Sequence, residues 1–288
     1  MIISCSRRTD IPAFFTPWLM QQIANGFCEV ANPFNPKQIS RISLNPEDVD
    51  VIVFWTKNAA PLLPYLSKLN QRGFAYYFLY TITGYGPAIE PHVPAIDASF
   101  KTYHKLAELI GPERVIWRYD PIIFSEQLNQ KFHQQNFTHI AKHLHGYSKR
   151  VIISFVDHHY RHANKGLATI NSIDTHLQIN KSISSTIAQI ATNLAAIAGD
   201  NALDIYSCSE TLDLNANGIK AGSCIDAELI HKLFNKQVSS KKDPYQRSQC
   251  NCVKSRDIGA YNTCSHGCIY CYATSSNKPQ SSINSVKQ

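Results

Sequence analysis

Short apolar segments alternate along the chain with longer segments in which apolar residues recur every three or four positions. The short segments are rich in β-branched and aromatic residues, which favour strands, whereas the longer spacing is typical of amphipathic helices. A polar cluster follows each short segment. The predicted strands are residues 1–6, 49–55, 74–83, 115–117, 150–155 and 204–206.

The helix predicted after the third strand shows the pattern most clearly. Its apolar residues, Ile96, Phe100, Tyr103, Ala107 and Ile110, fall on one face. Six strand–helix units with short connections predict parallel strands joined by right-handed crossovers. We therefore predict an α/β fold, a partial or closed (β/α) barrel of about six strand–helix units with a C-terminal cysteine-rich cluster-binding loop. A doubly wound sheet is the alternative that the pattern leaves open.

The helical and strand periodicity is lost after Ser240, which divides the chain into three expected parts. Residues 1–240 should form the barrel domain, and residues 241–273 a cysteine-rich iron–sulfur segment packed on the barrel mouth. The polar residues 274–288 should form a disordered tail. No apolar run approaches the length of a membrane span, and no secretory signal is recognisable, so we predict a cytoplasmic protein.

Polar residues collect just after the predicted strands, at the end of a parallel sheet where ligands bind in α/β folds. Arginine and lysine there could hold a carboxylate or phosphate, and aspartate could accept ribose hydroxyls or an amine. The net charge of +7 leaves a nucleic-acid partner open, although the basic residues are scattered. The predicted cofactor-binding residues are Arg7, Arg8, Asp10, Lys57, Arg118, Asp120 and Asp157.

Nine cysteines in a chain without an export signal indicate metal ligation rather than disulfides. Cys264, Cys268 and Cys271 have the spacing Cys-x-x-x-Cys-x-x-Cys, and Tyr270 directly precedes the third. Three thiolates at this spacing can hold three irons of a [4Fe–4S] cluster and leave the fourth iron open to another ligand. Zinc is the alternative, because cysteine and the nearby His266 are also zinc ligands.

Four further cysteines, Cys208, Cys224, Cys250 and Cys252, lie after the sixth strand or in the cysteine-rich segment. They could hold a second cluster, or one of them could cap the open iron of the first. We expect at least three of them to approach one centre.

The Cys264–Cys271 spacing, with its aromatic residue, resembles the cluster loop of radical-SAM enzymes. Over nearly its whole length the chain also resembles a bacterial family, a domain of unknown function. Its members share the sequences found here at 6–12, 53–58 and 117–122, and the C-terminal cysteines. The radical-SAM resemblance implies an enzyme whose open iron binds S-adenosylmethionine (SAM) and whose electron donor is a flavodoxin or ferredoxin. Reductive cleavage of SAM would then start radical chemistry on an unknown substrate, for which an anionic group is one option.

The order of the parts differs from that of radical-SAM enzymes, in which the cluster loop follows the first strand and a Gly-Gly-Glu-type motif follows the second. Here residues 7–10 and 56–58 occupy those places. Because first and last strands are neighbours in a nearly closed barrel, we expect the loop to cover a cavity lined by Arg7, Lys57, Arg118 and Asp157. Two alternatives are a non-catalytic iron–sulfur or zinc protein that binds nucleic acid, and a barrel hydrolase or lyase with a structural metal.

Overall fold

The structure is a computed structural model that describes residues 1–156, 167, 181–274 and 283, without the side chains of 181–185. Strands and helices alternate along most of these residues. The strands are β1 (Ile2–Cys5), β2 (Phe27–Asn32), β3 (Asn35–Ser43), β4 (Val51–Thr56), β5 (Tyr76–Thr81), β6 (Val115–Ile122), β7 (Arg150–Phe155), β8 (Asp204–Cys208), β9 (Lys220–Gly222) and β10 (Arg256–Asp257). The α-helices are α1 (Ile11–Phe14), α2 (Thr16–Asn25), α3 (Leu66–Gln71), α4 (Ile96–Ile110), α5 (Gln130–Leu144), α6 (Lys181–Asp200) and α7 (Ala227–Phe234).

Eight strands form one sheet in the order β10-β1-β4-β5-β6-β7-β8-β9, and every neighbouring pair is parallel. The predicted α/β class is therefore confirmed. No closed barrel is found in the described part of the chain, where the edge strands β10 and β9 do not pair with each other. These edge strands have only two and three residues, and such short edges offer little backbone for further pairing.

All six predicted strands are present, but some bounds differ. Strand β6 continues to Ile122, so Arg118 and Asp120 lie within the strand and not after it. The sequence analysis misses the antiparallel hairpin β2–β3, because β3 is exposed along most of its length and lacks the alternation of a half-buried strand. It also misses β9 and β10, which are too short to show a pattern.

Alternate residues of the central strands enter two different apolar cores. In β4, Ile52 and Phe54 pack in the first core with α2, α4, α5 and α6, whereas Val51 and Val53 pack in the second. The second core contains residues of α7 together with Cys208, Cys224, Cys250 and Cys252. Burial of both faces explains why the strands are continuously apolar.

The C-terminal segment joins the sheet beside its first strand. Strand β10 pairs with β1, with Ile3 opposite Arg256 and Ser4 opposite Asp257. This pairing brings the cysteine-rich residues that follow β10 to the carboxyl ends of β1 and β4. Among the helices of the described residues, none has the length and apolar character needed to cross a membrane.

Candidate functional site

The cysteine loop, residues 264–271, lies over the carboxyl ends of β1, β4 and β5. Two backbone hydrogen bonds join it to the connection after β5, because His92 N donates to His266 O at 3.0 Å and Ile269 N donates to Ile89 O at 3.1 Å. Gly267 has a φ of 70°, a left-handed conformation in which a side chain would be strained, and a Cβ at this position would come within 3.3 Å of the His92 ring.

Asp10 joins the loop to two strand ends. Its carboxylate caps α1 by accepting from Ala13 N at 3.0 Å, and it accepts from Thr56 Oγ1 and Lys57 N, both at 2.7 Å. His266 Nε2 lies 2.8 Å from the same carboxylate, and both side chains are buried. Asp10 was predicted to bind a cofactor, yet the structure engages both of its oxygens within the protein.

Lys57 forms a buried ion pair with Glu90, its Nζ lying 2.8 Å from Oε1. The same Glu90 oxygen accepts from Thr83 Oγ1 at 2.7 Å and from the hydroxyl of Tyr270 in the loop. Burial alone would raise the pKa of Glu90, but the charge of Lys57 and these hydrogen bonds outweigh it and lower the pKa. Burial opposes protonation of Lys57, but Glu90 outweighs it and raises the pKa of Lys57. Lys57 therefore holds the loop as one member of a charge pair.

Asp257 binds the residues that follow β1. Its carboxylate accepts from Ser6 Oγ at 2.6 Å and Arg7 N at 2.8 Å, and it pairs with Arg8 Nε at 3.0 Å. Burial would raise the pKa of Asp257, but Arg8 and the hydrogen bonds lower it. Arg8, a predicted cofactor ligand, is thus already bound to a carboxylate.

Arg7 and Arg118 both lie against the indole of Trp55. Their guanidinium carbons are 5.3 and 5.0 Å from its ring centre, and Arg118 also forms an ion pair with Asp120. Three buried donors in this group, Arg7 Nη2, Arg118 Nε and Trp55 Nε1, have no hydrogen-bond partner in the described structure. Unsatisfied buried donors are costly, so their presence together indicates a place for an acceptor.

The four-cysteine group consists of Cys208, Cys224, Cys250 and Cys252, which are all buried. Cys224 Sγ lies 3.4 Å from Cys208 Sγ, and the sulfurs of Cys208, Cys224 and Cys252 all lie within 4.8 Å of one another. Hydrogen bonds from Cys208, Cys224 and Cys250 strongly lower the pKa of Cys252. The predicted approach of at least three cysteines to one centre is present, and these three could bind a metal ion.

The thiols of the cysteine loop are arranged differently. In the described residues, Cys264, Cys268 and Cys271 do not form a set whose sulfurs all lie within 4.8 Å of one another. Burial and the nearby charge of Asp10 raise the pKa of Cys264 to about 12, and burial also raises the pKa of Cys268. A metal that binds these thiols must therefore displace their protons.

The structure also contains site residues that the sequence analysis misses. Glu90 and Asp257 organise the carboxyl ends of the strands, but neither stands in a motif or directly after a predicted strand. Asp157 lies outside the described residues. Of the residues expected to line a common cavity, Arg7 and Lys57 lie beside the loop at the strand ends.

Comparison with known proteins gives the family of the chain. No curated protein matches it. Among solved structures it is similar to the "X-ray structure of Pen from Bacillus thuringiensis", with 10% identity and a TM-score of 0.23. The match covers 72% of this chain and 48% of that chain, about half of its length, and is too weak to support an argument. The model of the family described as "Domain of unknown function (DUF1848)" matches residues 2–273, and the chain therefore belongs to this family.

Proposed function

We propose that the protein is a radical-SAM-like iron–sulfur enzyme whose cysteine loop holds a [4Fe–4S] cluster. The observation that supports this proposal is the attachment of the loop to the carboxyl ends of β1, β4 and β5, where α/β proteins bind their ligands. In this proposal the open sheet is a partial barrel, and the loop covers its mouth. When bound, the cluster would supply one electron for the cleavage of SAM and an open iron that chelates it.

The spacing of the loop thiols fits a cluster better than a single ion. A Zn–S bond of about 2.3 Å places the sulfurs of a tetrahedral site about 3.8 Å apart. The sulfurs of Cys264, Cys268 and Cys271 do not all lie within 4.8 Å of one another, so they are not placed for one tetrahedral ion, whereas the thiolates of a cube each bind a different iron. Lys57, whose charge lowers the pKa of Cys268 against the effect of burial, would offset part of the thiolate charge.

Arg7 and Arg118 are the residues best suited to an anionic group of SAM or of the substrate. Each has an unpaired buried N–H, and Trp55 adds a third between them. Guanidinium groups bind carboxylates and phosphates in a directional manner, so an acceptor here would satisfy donors that the described protein leaves unpaired. Lys57 and Arg8 already pair with Glu90 and Asp257 and would serve as supports.

The remaining contacts would orient the loop and exclude water. Asp10 fixes His266, Glu90 fixes Tyr270, and Tyr272 donates to Arg7 O at 2.8 Å. These side-chain contacts of the loop and of Tyr272 directly after it, together with the two backbone hydrogen bonds described above, restrict the motion of the loop, as a reactive cofactor requires.

The test is anaerobic reconstitution followed by iron and sulfide analysis and by incubation with SAM and dithionite. We expect about four irons at the loop and the formation of 5′-deoxyadenosine. Cys268→Ala should abolish the product, whereas Cys28→Ala should retain it, because Cys28 is a buried cysteine of β2 outside both cysteine groups.

Two results would refute parts of this proposal. Zinc in the loop without acid-labile sulfide would remove the cluster. An intact cluster that gives neither product nor a SAM-dependent change in its EPR spectrum would instead favour a non-catalytic iron–sulfur protein. Salt-sensitive binding of nucleic acid by that form would then identify its partner class.

A further inference from the structure

We propose that the four-cysteine group is a separate site for one tetrahedral Zn²⁺ ion and not a second iron–sulfur cluster. Three of its sulfurs are close enough to share a single ion, since Cys224 and Cys208 are 3.4 Å apart and Cys252 lies within 4.8 Å of both. A tetrahedral zinc–thiolate site requires sulfurs about 3.8 Å apart. In a cube each thiolate binds a different iron, so its sulfurs must lie further apart.

We assign the fourth position to Cys250, which is buried in the same apolar core two residues before Cys252. Its sulfur is not among the three that lie within 4.8 Å of one another, so Cys250 must move towards the ion when the ion binds. Four sulfur donors select zinc over the hard cations, which prefer oxygen. A site with four protein ligands has no open position, and such closed sites are structural.

The surroundings suit a zinc–thiolate centre. Ile225 N donates to Cys252 Sγ at 3.4 Å, and the group lies in the second apolar core beside Ile230 and Val253. Four thiolates and one Zn²⁺ have a formal charge of −2, and the guanidinium of Arg7 lies near enough to Cys252 and Cys224 to interact with their charge. Amide donors and a nearby cation are the neighbours that stabilise such a centre.

The ion would join three parts of the chain that are distant in sequence. Cys208 ends β8, Cys224 lies in the turn before α7, and Cys250 and Cys252 lie in the segment that leads to β10. Because β10 directly precedes the cysteine loop, this site would fix the base of the segment that carries the loop. The inference holds whether or not the loop carries a cluster.

The test uses the full-length protein and zinc as the probe. Zinc K-edge absorption on the unmodified protein should show four sulfur neighbours at about 2.3 Å. The triple variant Cys264→Ala/Cys268→Ala/Cys271→Ala should keep one zinc per chain and lose its iron. Cys252→Ser should lose the zinc, and Cys28→Ala should keep it.

The outcomes separate this inference from the proposed function. Four irons and sulfide retained by the triple variant, or a zinc edge with nitrogen and oxygen neighbours, would overturn the zinc site. Should Cys252→Ser fail to fold, the absorption spectrum of the unmodified protein still decides the matter. One zinc bound to four sulfurs in a protein that holds no iron would support this site while removing the radical-SAM proposal.

Discussion

The cysteines that are close together in the sequence are further apart in the structure, and the cysteines that are distant in the sequence are close together in the structure. The loop cysteines are neighbours along the chain, yet their sulfurs do not all approach within 4.8 Å. The four-cysteine group comes from three separate segments, yet Cys208 and Cys224 are in contact at 3.4 Å. Spacing in sequence thus indicates the type of ligand, whereas only the fold shows how many metal ions the ligands can share.

The surroundings of the two groups differ as well. The four-cysteine group is embedded in an apolar core, where an unpaired charge is costly. The loop is held by buried charged groups, Asp10 on one side and the Lys57–Glu90 pair on the other. A closed apolar site suits a structural ion, and a loop at polar strand ends suits a cofactor that must meet a substrate.

Cysteine substitutions should show the largest difference between the groups. Cys252→Ser should lower the free energy of unfolding by about 4 kcal/mol or more, because it would remove a ligand of the proposed zinc ion from the core. Cys268→Ser should lower it by about 1 kcal/mol, since this residue is only partly buried. Urea unfolding of the full-length variants measures both values. Equal losses would mean that the groups do not differ in structural role.

Breaking the charge pair beneath the loop should have the next largest effect. Lys57→Met leaves Glu90 buried without its partner, so we expect a loss of about 3 kcal/mol. Lys57→Met/Glu90→Gln should recover part of this loss, because no buried charge then remains. A double-mutant cycle in urea measures the coupling, and strictly additive losses would show that the pair does not act as a unit.

Lowering the pH should remove the stabilising contribution of the Lys57–Glu90 pair over a defined pH range. The pKa of Glu90 in the folded protein lies below its ordinary value, so its contribution is complete above about pH 4.5 and is lost as the pH falls through the lowered pKa. Lys57→Met/Glu90→Gln should show a shallower loss of stability below about pH 4.5. Any zinc released in acid is lost from the unmodified protein and from the double variant alike. The difference between their urea unfolding curves therefore reports the contribution of the Lys57–Glu90 pair. Identical pH profiles would contradict this assignment.

The smallest effect should come from the outer attachment of the loop. Tyr272→Phe removes the hydrogen bond to Arg7 O and should cost about 1 kcal/mol. We expect the variant to lose iron faster than the unmodified protein during aerobic dialysis while its zinc content stays unchanged. Metal analysis over time measures both, and parallel loss of the two metals would show that the sites are not independent.

The sequence predicts much of the fold because the central strands are buried on both faces and therefore appear as apolar runs. It does not predict β3, which is exposed, or β10, which has two residues. The cysteine spacing predicts the loop, and the polar strand ends predict where it lies. The roles of Glu90 and Asp257 depend on tertiary pairing with distant residues, which leaves no local signal.

The pairing of β10 with β1 has a consequence for the order in which the chain folds. Ser4 and Asp257, which are hydrogen-bonded, are 253 positions apart. On the ribosome β1 is made first but gains this neighbour only after almost all the described residues have been synthesised. Contacts so distant in sequence form late and slowly. The loop attachments therefore form only after the domain has been translated, and a metal bound by the loop would be inserted after that point.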